Sequence, residues 1–282
     1  MSGLLASTRA ELLRLRRWPA FWVLIGTWFA LDLAFAYLFR YIAYRSGGGP
    51  AGDAGIPRDQ LLADVLPAAV PVAAIQGTPL FGGAIMMILG ALAVGSGFGW
   101  GTWKTVLTQG PGRGAVFGAT LVVLAMTVVA LVVATFALDL GVASAQAAVE
   151  SRPVDLPPLG ALLEGASTGA LVLGMWTAAG VLIGVLTRSP ALAVGLGLVW
   201  ALVVENLLRG VADLVGGLSV VTDHLPGTAA GSLVGALDGT AADDTPGVQT
   251  ILTGGTATGF LVGYLLLFAA GGLVLMRRRD VV

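Results

Sequence analysis

The chain contains no cysteine, one histidine and one lysine, and charged residues make up only 11% of it. Without cysteine, no disulfide, thiolate nucleophile or cysteine metal site can form. The single histidine, His224, excludes a site with several histidine ligands, and its position outside the long apolar runs excludes an intramembrane Ser–His dyad. The net charge of −1 gives no indication of nucleic-acid binding. Composition therefore excludes chemistry that depends on cysteine or on several histidines.

Long apolar runs dominate the rest of the 282 residues. Apolar residues make up 56% of the chain and its mean hydropathy is +0.90, whereas soluble domains carry about 25% charged residues. A helix needs roughly 20 apolar residues to cross the hydrocarbon of a bilayer. Six segments approach that length, at about 20–41, 78–97, 116–138, 166–187, 190–208 and 256–276. The sequence predicts a single all-α integral membrane domain with six transmembrane helices.

The basic residues predict the orientation of these helices. With the N-terminus inside the cell, the cytoplasmic pieces are 1–19, 98–114, 188–189 and 277–282. They hold ten of the fifteen basic residues and two of the sixteen acidic ones. Basic residues near the ends of spans favour the cytoplasmic side. We therefore expect a multi-pass protein of the cell membrane with both termini in the cytoplasm.

Three segments outside the spans have patterns of their own. In residues 1–19 leucines alternate with arginines, which favours an amphipathic helix at the membrane interface over a solvated basic tail. The apolar stretch 61–75 is punctuated by proline and is expected to lie on the membrane. The outer segment 209–255 contains apolar stretches too short to span, which predicts re-entrant or interfacial helices before the last span.

A polar, Gly-rich loop at 98–114 separates the second and third predicted spans. It carries Lys104, although fourteen arginines to one lysine also fit a simple compositional bias. Trp103, Val106 and Leu107 are spaced so that they share one helical face. A Walker A loop needs a contiguous Gly-Lys-Ser/Thr, which this loop lacks. We therefore expect that the chain does not bind ATP by itself.

Acidic residues inside apolar spans are costly and often functional. Asp32 lies midway along the first span, and two interpretations stay open. It either packs inward against a Thr, Trp or Arg of a neighbouring span, or contacts substrate or an ion in a translocation path. Glu205 has the same functional interpretation, although an ion pair with Arg209 four residues later would also account for it. Asp139 is expected to be an interface residue.

The loop also carries a family resemblance. Its sequence is Gly101-Thr102-Trp103-Lys104-Thr105-Val106-Leu107-Thr108-Gln109-Gly110-Pro111, followed by Arg113. It is similar to the loop after the second span of the permease subunits of type-2 ABC exporters. Leu225-Pro226-Gly227 and the ending Met276-Arg277-Arg278-Arg279-Asp280 also resemble elements of that family.

The resemblance implies a transmembrane subunit that is not an enzyme by itself. Two such chains would pair, as a homodimer or heterodimer, among membrane lipids, and two separate ATPase subunits would bind ATP and Mg, with no cofactor in this chain. The loop would be a coupling helix formed by Gly101, Thr102, Trp103, Lys104, Thr105, Val106, Leu107, Thr108 and Arg113. Its apolar face, Trp103 with Val106 and Leu107, would fill a groove of the ATPase, while Lys104 and Arg113 pair with acidic residues at the rim. Gly110-Pro111-Gly112 would end the helix.

The cargo and two other functions stay open. The apolar interior favours a lipophilic or amphipathic cargo such as a drug, peptide or lipid, although Asp32 leaves room for a cation, including sodium. One alternative is a membrane sensor or immunity protein that has the fold without transporting. A less favoured one is an intramembrane enzyme, because no pair of catalytic groups is found within the spans.

Overall fold

The chain is described here from a computed structural model that covers residues 2–46, 57–108, 112–212, 217, 219–238 and 245–278. Helices account for 87% of these described residues, which contain no strand. The predicted all-α class is confirmed for this part of the chain. Two predictions lie outside it, the helix stop at Gly110 and Pro111 and the ending at Arg279 and Asp280.

Six helical segments in the described ranges are long and apolar enough to cross a membrane. In chain order, from the first to the sixth span, they are Pro19–Ser46, Pro67–Gly99, Arg113–Val149, Leu159–Thr187, Pro190–Ala212 and Gly254–Arg278. Every predicted segment lies within one of them, so the predicted number of spans is confirmed and the protein is a multi-pass membrane protein by the character of its helices. The observed helices are longer than the predicted segments, because helical residues on either side extend them at one or both ends.

Three spans contain a stretch of π-helix, and the shorter helices lie before the first span or between the spans. The π-helical stretches are Leu33–Leu38, Thr78–Gly82 and Val199–Val204, and Pro67–Ala69 is a 3₁₀ turn. The shorter helices are Ser2–Arg17, Arg58–Ala63, Thr102–Thr108, Ser219–Thr222 and Pro226–Asp238. We call Thr102–Thr108 the loop helix.

The second and fourth spans form the centre of the bundle. Their most apolar windows are 72% and 67% buried, against 17% for the fifth and sixth spans. A Cβ atom at Gly90 would lie 2.3 Å from the carbonyl oxygen of Thr177, and one at Gly180 would lie 2.0 Å from that of Met87. Small residues of this kind allow the backbones of two membrane helices to approach closely.

The stretch 61–75 does not lie apart from the bundle, contrary to the sequence expectation. Leu61, Val65, Val70 and Ile75 are each at most 1% exposed, and 67–76 runs directly into the second span. Prolines are tolerated in the first turn of a helix, where their missing N–H would have no partner. Pro67 and Pro71 occupy such positions, so they begin helical turns instead of breaking a span.

The described part of 209–255 packs against the bundle. The helix Pro226–Asp238 contacts the second, fourth and sixth spans, and Ala229, Ala230 and Val234 are fully buried. The backbone N–H of Leu252 donates to Ser232 Oγ over 3.1 Å and fixes the return of the chain towards the sixth span. Residues 213–216, 218 and 239–244 of this segment lie outside the described ranges. A re-entrant position in the membrane stays a prediction.

The N-terminal helix Ser2–Arg17 packs against the beginning of the third span. Thr120 Oγ1 donates to Glu11 Oε1 over 3.2 Å, and Arg14 Nη2 donates to the carbonyl oxygen of Ala93 over 2.8 Å. Leu15 is 1% exposed. This end of the bundle therefore joins the N-terminal helix to the second and third spans. The location of the helix at a membrane interface stays a prediction.

Candidate functional site

The loop helix follows the second span after a turn at Gly101. Gly101 has a φ of +65°, a conformation that costs other residues roughly 1–2 kcal/mol. Its carbonyl accepts the backbone N–H of Thr105 over 3.3 Å. The glycine of the Gly-Thr-Trp-Lys sequence thus reverses the chain tightly and begins the new helix.

Trp103 is directed into the bundle. It is 5% exposed, and its Nε1 donates a hydrogen bond to the carbonyl oxygen of Val94 over 3.1 Å. Its ring centroid lies 5.9 Å from that of Phe98 and 6.4 Å from that of Phe117, on the third span. We expected Trp103 to fill a groove of a partner. In this structure it fills a gap between its own second and third spans, because the indole finds both an apolar pocket and an acceptor there.

The outward face of the loop helix is polar. Lys104, Thr105 and Thr108 are exposed, whereas Val106 and Leu107 are half-buried. Thr108 Oγ1 donates to the carbonyl oxygen of Thr105 over 2.8 Å and stabilises the last turn. Of the predicted apolar face, Trp103 therefore anchors the helix, and a polar face with one positive charge is left accessible.

Arg113 begins the third span directly after this loop and is half-buried. A Cβ atom at Gly114, its neighbour, would lie 3.0 Å from Nη2 of Arg277 at the end of the sixth span. Basic residues of three chain segments, Lys104, Arg113 and Arg277, therefore gather at the loop-helix end of the bundle. The cytoplasmic location of this end stays a prediction.

Asp32 is buried and meets an acid of the third span. Asp32 is 6% exposed and Asp139 is 0% exposed, and their carboxyl groups lie within reach of a hydrogen bond if one of them carries a proton. For Asp32 the sequence left two interpretations open, inward packing against a Thr, Trp or Arg and contact with substrate or an ion, and for Asp139 we expected an interface position. Asp32 does pack inward, and the residue that it meets is Asp139, which is itself buried in the bundle. The position of Asp139 at a membrane interface stays a prediction.

Asp32 and Asp139 belong to a line of polar contacts between the first and third spans, which we call the polar seam. Trp28 Nε1 donates to Thr135 Oγ1 over 2.8 Å, across a separation of 107 residues. Asp32 and Asp139 lie four residues further along each helix, about one turn. Tyr41 and Tyr44 then donate to Glu150 over 2.7 and 2.9 Å. The paired residues are separated by almost the same number of positions in each contact. The two spans therefore lie side by side and run in the same direction.

Glu205 is held by hydrogen bonds and not by the expected ion pair. Its Oε1 accepts Trp200 Nε1 over 2.9 Å and its Oε2 accepts the backbone N–H of Gly227 over 2.8 Å. Arg209 instead donates to Asn206 Oδ1 over 2.8 Å. Glu205 is 0% exposed and joins the fifth span to the helix Pro226–Asp238. It therefore acts as a structural link between two elements and does not line an open path in this structure.

Glu150, just after the third span, is a polar centre that sequence reasoning missed. Hydrogen bonds from Tyr41 and Tyr44, with a contribution from Arg45, lower the pKa of Glu150 below its ordinary value. Arg45 Nη1 lies 3.3 Å from Glu150 Oε1. The Tyr-x-x-Tyr spacing, which places both rings on one helical face, was the available signal.

Within the described ranges, no three His, Asp or Glu side chains are grouped so that they could hold a metal ion. Comparison with known protein families found no family model that matches the chain, and comparison with characterised proteins found no significant match.

Proposed function

We propose that this protein is the transmembrane subunit of an ATP-driven ABC exporter, and that the loop helix couples it to separate ATPase subunits. The observation that carries the proposal is the division of the loop helix into two faces. Trp103 binds the helix to the second and third spans, and Lys104, Thr105 and Thr108 remain exposed beyond it. A coupling element needs both a firm attachment to the bundle and an accessible surface.

The attachment determines how a force on the loop helix would act. Replacing a buried Trp by Ala costs about 3–5 kcal/mol in a packed core, so the anchor resists local detachment. A partner that displaced the loop helix would also displace Val94 of the second span and Phe117 of the third. The second span is packed tightly against the fourth through Gly90 and Gly180. Movement of the loop would therefore reach the centre of the bundle.

The exposed face determines which partner would fit. Lys104 is a single positive charge on a helix otherwise lined by threonine hydroxyls. Such a face suits an acidic, hydrogen-bonding surface, and charged residues at the rim of an interface mainly set its association rate and specificity. From the sequence we expected an apolar face that fills a groove of the ATPase. The proposed contact is polar instead, because Trp103 packs inside its own bundle. In the proposed complex, the ATPase binds the polar face and hydrolyses ATP with Mg, and this chain forms the path for a lipophilic or amphipathic cargo.

The experiment that tests the proposal is affinity capture of the full-length chain from membranes in mild detergent. An ATPase subunit with a Walker A loop is expected to be captured with the native chain. Lys104→Glu is expected to reduce its recovery at least about tenfold, a loss of roughly 1.4 kcal/mol of binding free energy.

The control is Arg152→Glu, which makes the same charge reversal at an exposed position beyond the other end of the third span. It is expected to leave the captured ATPase unchanged. If no ATPase is recovered with the native chain, the exporter proposal fails. If Lys104→Glu and Arg152→Glu behave alike, the loop helix is not the docking surface.

A further inference from the structure

A group of buried oxygen atoms without hydrogen-bond partners lies between the first and third spans. Within the described part of the chain, Asp32 Oδ2, both carboxyl oxygens of Asp139 and the hydroxyl of Tyr37 have no partner. Asp139 is 0% exposed, Tyr37 2% and Asp32 6%. Buried polar atoms are paired in the great majority of cases, so four unpaired oxygens in one place indicate that something else is bound there.

Tyr37 belongs to this group because of the local helix geometry. Five residues separate it from Asp32, and in an α-helix that spacing would rotate it about 140° away from Asp32. The stretch Leu33–Leu38 is π-helical, and the N–H of Phe39 reaches the carbonyl oxygen of Ala34 five residues earlier. The wider turn brings Tyr37 back towards Asp32, within electrostatic range of both carboxyl groups. π-Helical turns inside α-helices often occur at functional sites.

The charge in this group is not balanced by the surrounding protein. Two carboxylates in a bundle interior each cost several kcal/mol to desolvate unless they are paired. Arg40 is a basic residue with an electrostatic effect on this group, and that effect is on Tyr37. The guanidinium of Arg40 donates to Gln76 Oε1 of the second span over 2.6 Å. The nearest polar residue of the third span, Thr135, accepts from Trp28. Among the described residues, no ion pair joins either aspartate to an arginine or lysine.

We propose that Asp32, Tyr37 and Asp139 form a binding site for one monovalent cation, a proton or a sodium ion, shared by the two carboxyl groups. A proton would let one carboxyl donate to the other, as in carboxyl pairs that share a single proton. A sodium ion would be ligated by the same oxygens. A divalent cation would be expected to have more charged ligands, and among the described residues no group of three His, Asp or Glu side chains is placed to hold one.

The site also has a mechanical consequence. The first span is only 22% buried over its most apolar window, and the polar seam joins it to the third span. Occupation of the site removes the repulsion between two carboxylates in the middle of that seam. The cation therefore holds the first span against the bundle, and its release loosens the seam. This inference needs only the present chain and does not depend on the exporter proposal.

The test uses the purified full-length chain in lipid nanodiscs, without an ATPase. The first measurement is infrared difference spectroscopy between neutral and alkaline pH, in H₂O and D₂O. If the cation is a proton, the native chain shows the carbonyl band of a protonated carboxylic acid. Asp32→Asn and Asp139→Asn each abolish that band, and Tyr37→Phe shifts its frequency.

The second measurement is the melting temperature in sodium chloride against choline chloride at equal ionic strength. If the cation is sodium, the native chain is stabilised by sodium, and the stabilisation is lost in Asp32→Asn and Asp139→Asn and weakened in Tyr37→Phe. Tyr37→Phe changes one hydroxyl only, so it keeps the test decisive if an Asp variant does not fold.

Glu205→Gln is the matched control, because Glu205 is also fully buried but has its own two donors. It is expected to leave both the carboxyl band and the sodium effect intact. The proposal is overturned if the native chain shows neither signal, or if the signals survive in Asp32→Asn, Tyr37→Phe and Asp139→Asn.

Discussion

The indole Nε1 of Trp103 donates a hydrogen bond to the carbonyl oxygen of Val94 over 3.1 Å, which ties the loop helix to the span that precedes it. Gly97 lies between them in the chain and directly beneath the ring. A Cβ atom at Gly97 would approach Trp103 Nε1 to 2.4 Å. The close contact of the indole with the second span therefore requires a residue without a side chain at this position.

Gly97→Ala is expected to displace Trp103 and loosen the loop helix, since overpacking of a filled site costs about 1–3 kcal/mol. The chain has no cysteine, so Thr105→Cys provides a single site for a spin label. We expect a clear increase in label mobility when Gly97→Ala is added. The matched control is Gly99→Ala, whose Cβ would make an ordinary contact at 3.7 Å with Pro190. Equal mobility in the two variants would show that the close contact of Trp103 with the second span does not depend on a glycine at position 97.

Gly227→Ala is expected to break the link between Glu205 and the helix Pro226–Asp238. A Cβ atom there would lie 2.2 Å from Glu205 Oε2, so the backbone donor and the carboxylate must separate. A buried carboxylate that loses a donor costs about 1–3 kcal/mol, which should appear as a lower melting temperature in detergent. Gly210→Ala, where a Cβ would have no atom within 4 Å, is expected to have no comparable effect. The assignment of Glu205 as a structural link fails if both variants melt alike.

Glu150 is expected to make stability depend on acidic pH. Hydrogen bonds from Tyr41 and Tyr44 lower its pKa in the folded protein below the ordinary value of 4.5. The unfolded chain therefore binds the proton more readily, and stability rises with pH in this range. The contribution is complete above the ordinary pKa and is lost as the pH falls through the lowered one.

The measurement is the melting temperature as a function of pH for the native chain and for Glu150→Gln. The difference between the two curves is expected to shrink as the pH falls below about 4.5. The variant Asp155→Asn, with an exposed carboxyl on the same side, serves as the control and should follow the native curve. A difference between the native chain and Glu150→Gln that is constant with pH would rule out this account of the tyrosine–carboxylate contacts.

The sequence predicted the helices of this fold better than it predicted which residues contact each other. Length and hydropathy are local properties, so the six spans and the short helix around Trp103 could be predicted from them. Which face of a helix is buried depends on its neighbours. Trp103 would suit a groove of another protein or a gap in its own bundle equally well, and only the positions of Val94 and Phe117 decide between them.

The contact made by Asp139 could not be predicted from local sequence either. By sequence Asp139 lies towards one end of a long apolar run, as an interface residue would. The helix continues to Val149, and Asp139 is fully buried within the bundle. Its partner, Asp32, is 107 residues away, and that register follows from the packing of two helices that are not adjacent in the chain. The π-helical turn that adds Tyr37 has no sequence signal in this chain that we can identify.

The most direct test of the central claim is ATP hydrolysis by the captured ATPase in vesicles that contain Trp103→Ala. The exposed face of the loop helix is unchanged in this variant, so the ATPase is expected to bind as it binds the native chain. The anchor to the second and third spans is lost, so the change in hydrolysis rate that the native chain causes should disappear. If Trp103→Ala binds the ATPase and alters its hydrolysis rate as the native chain does, the loop helix does not couple the two subunits through Trp103.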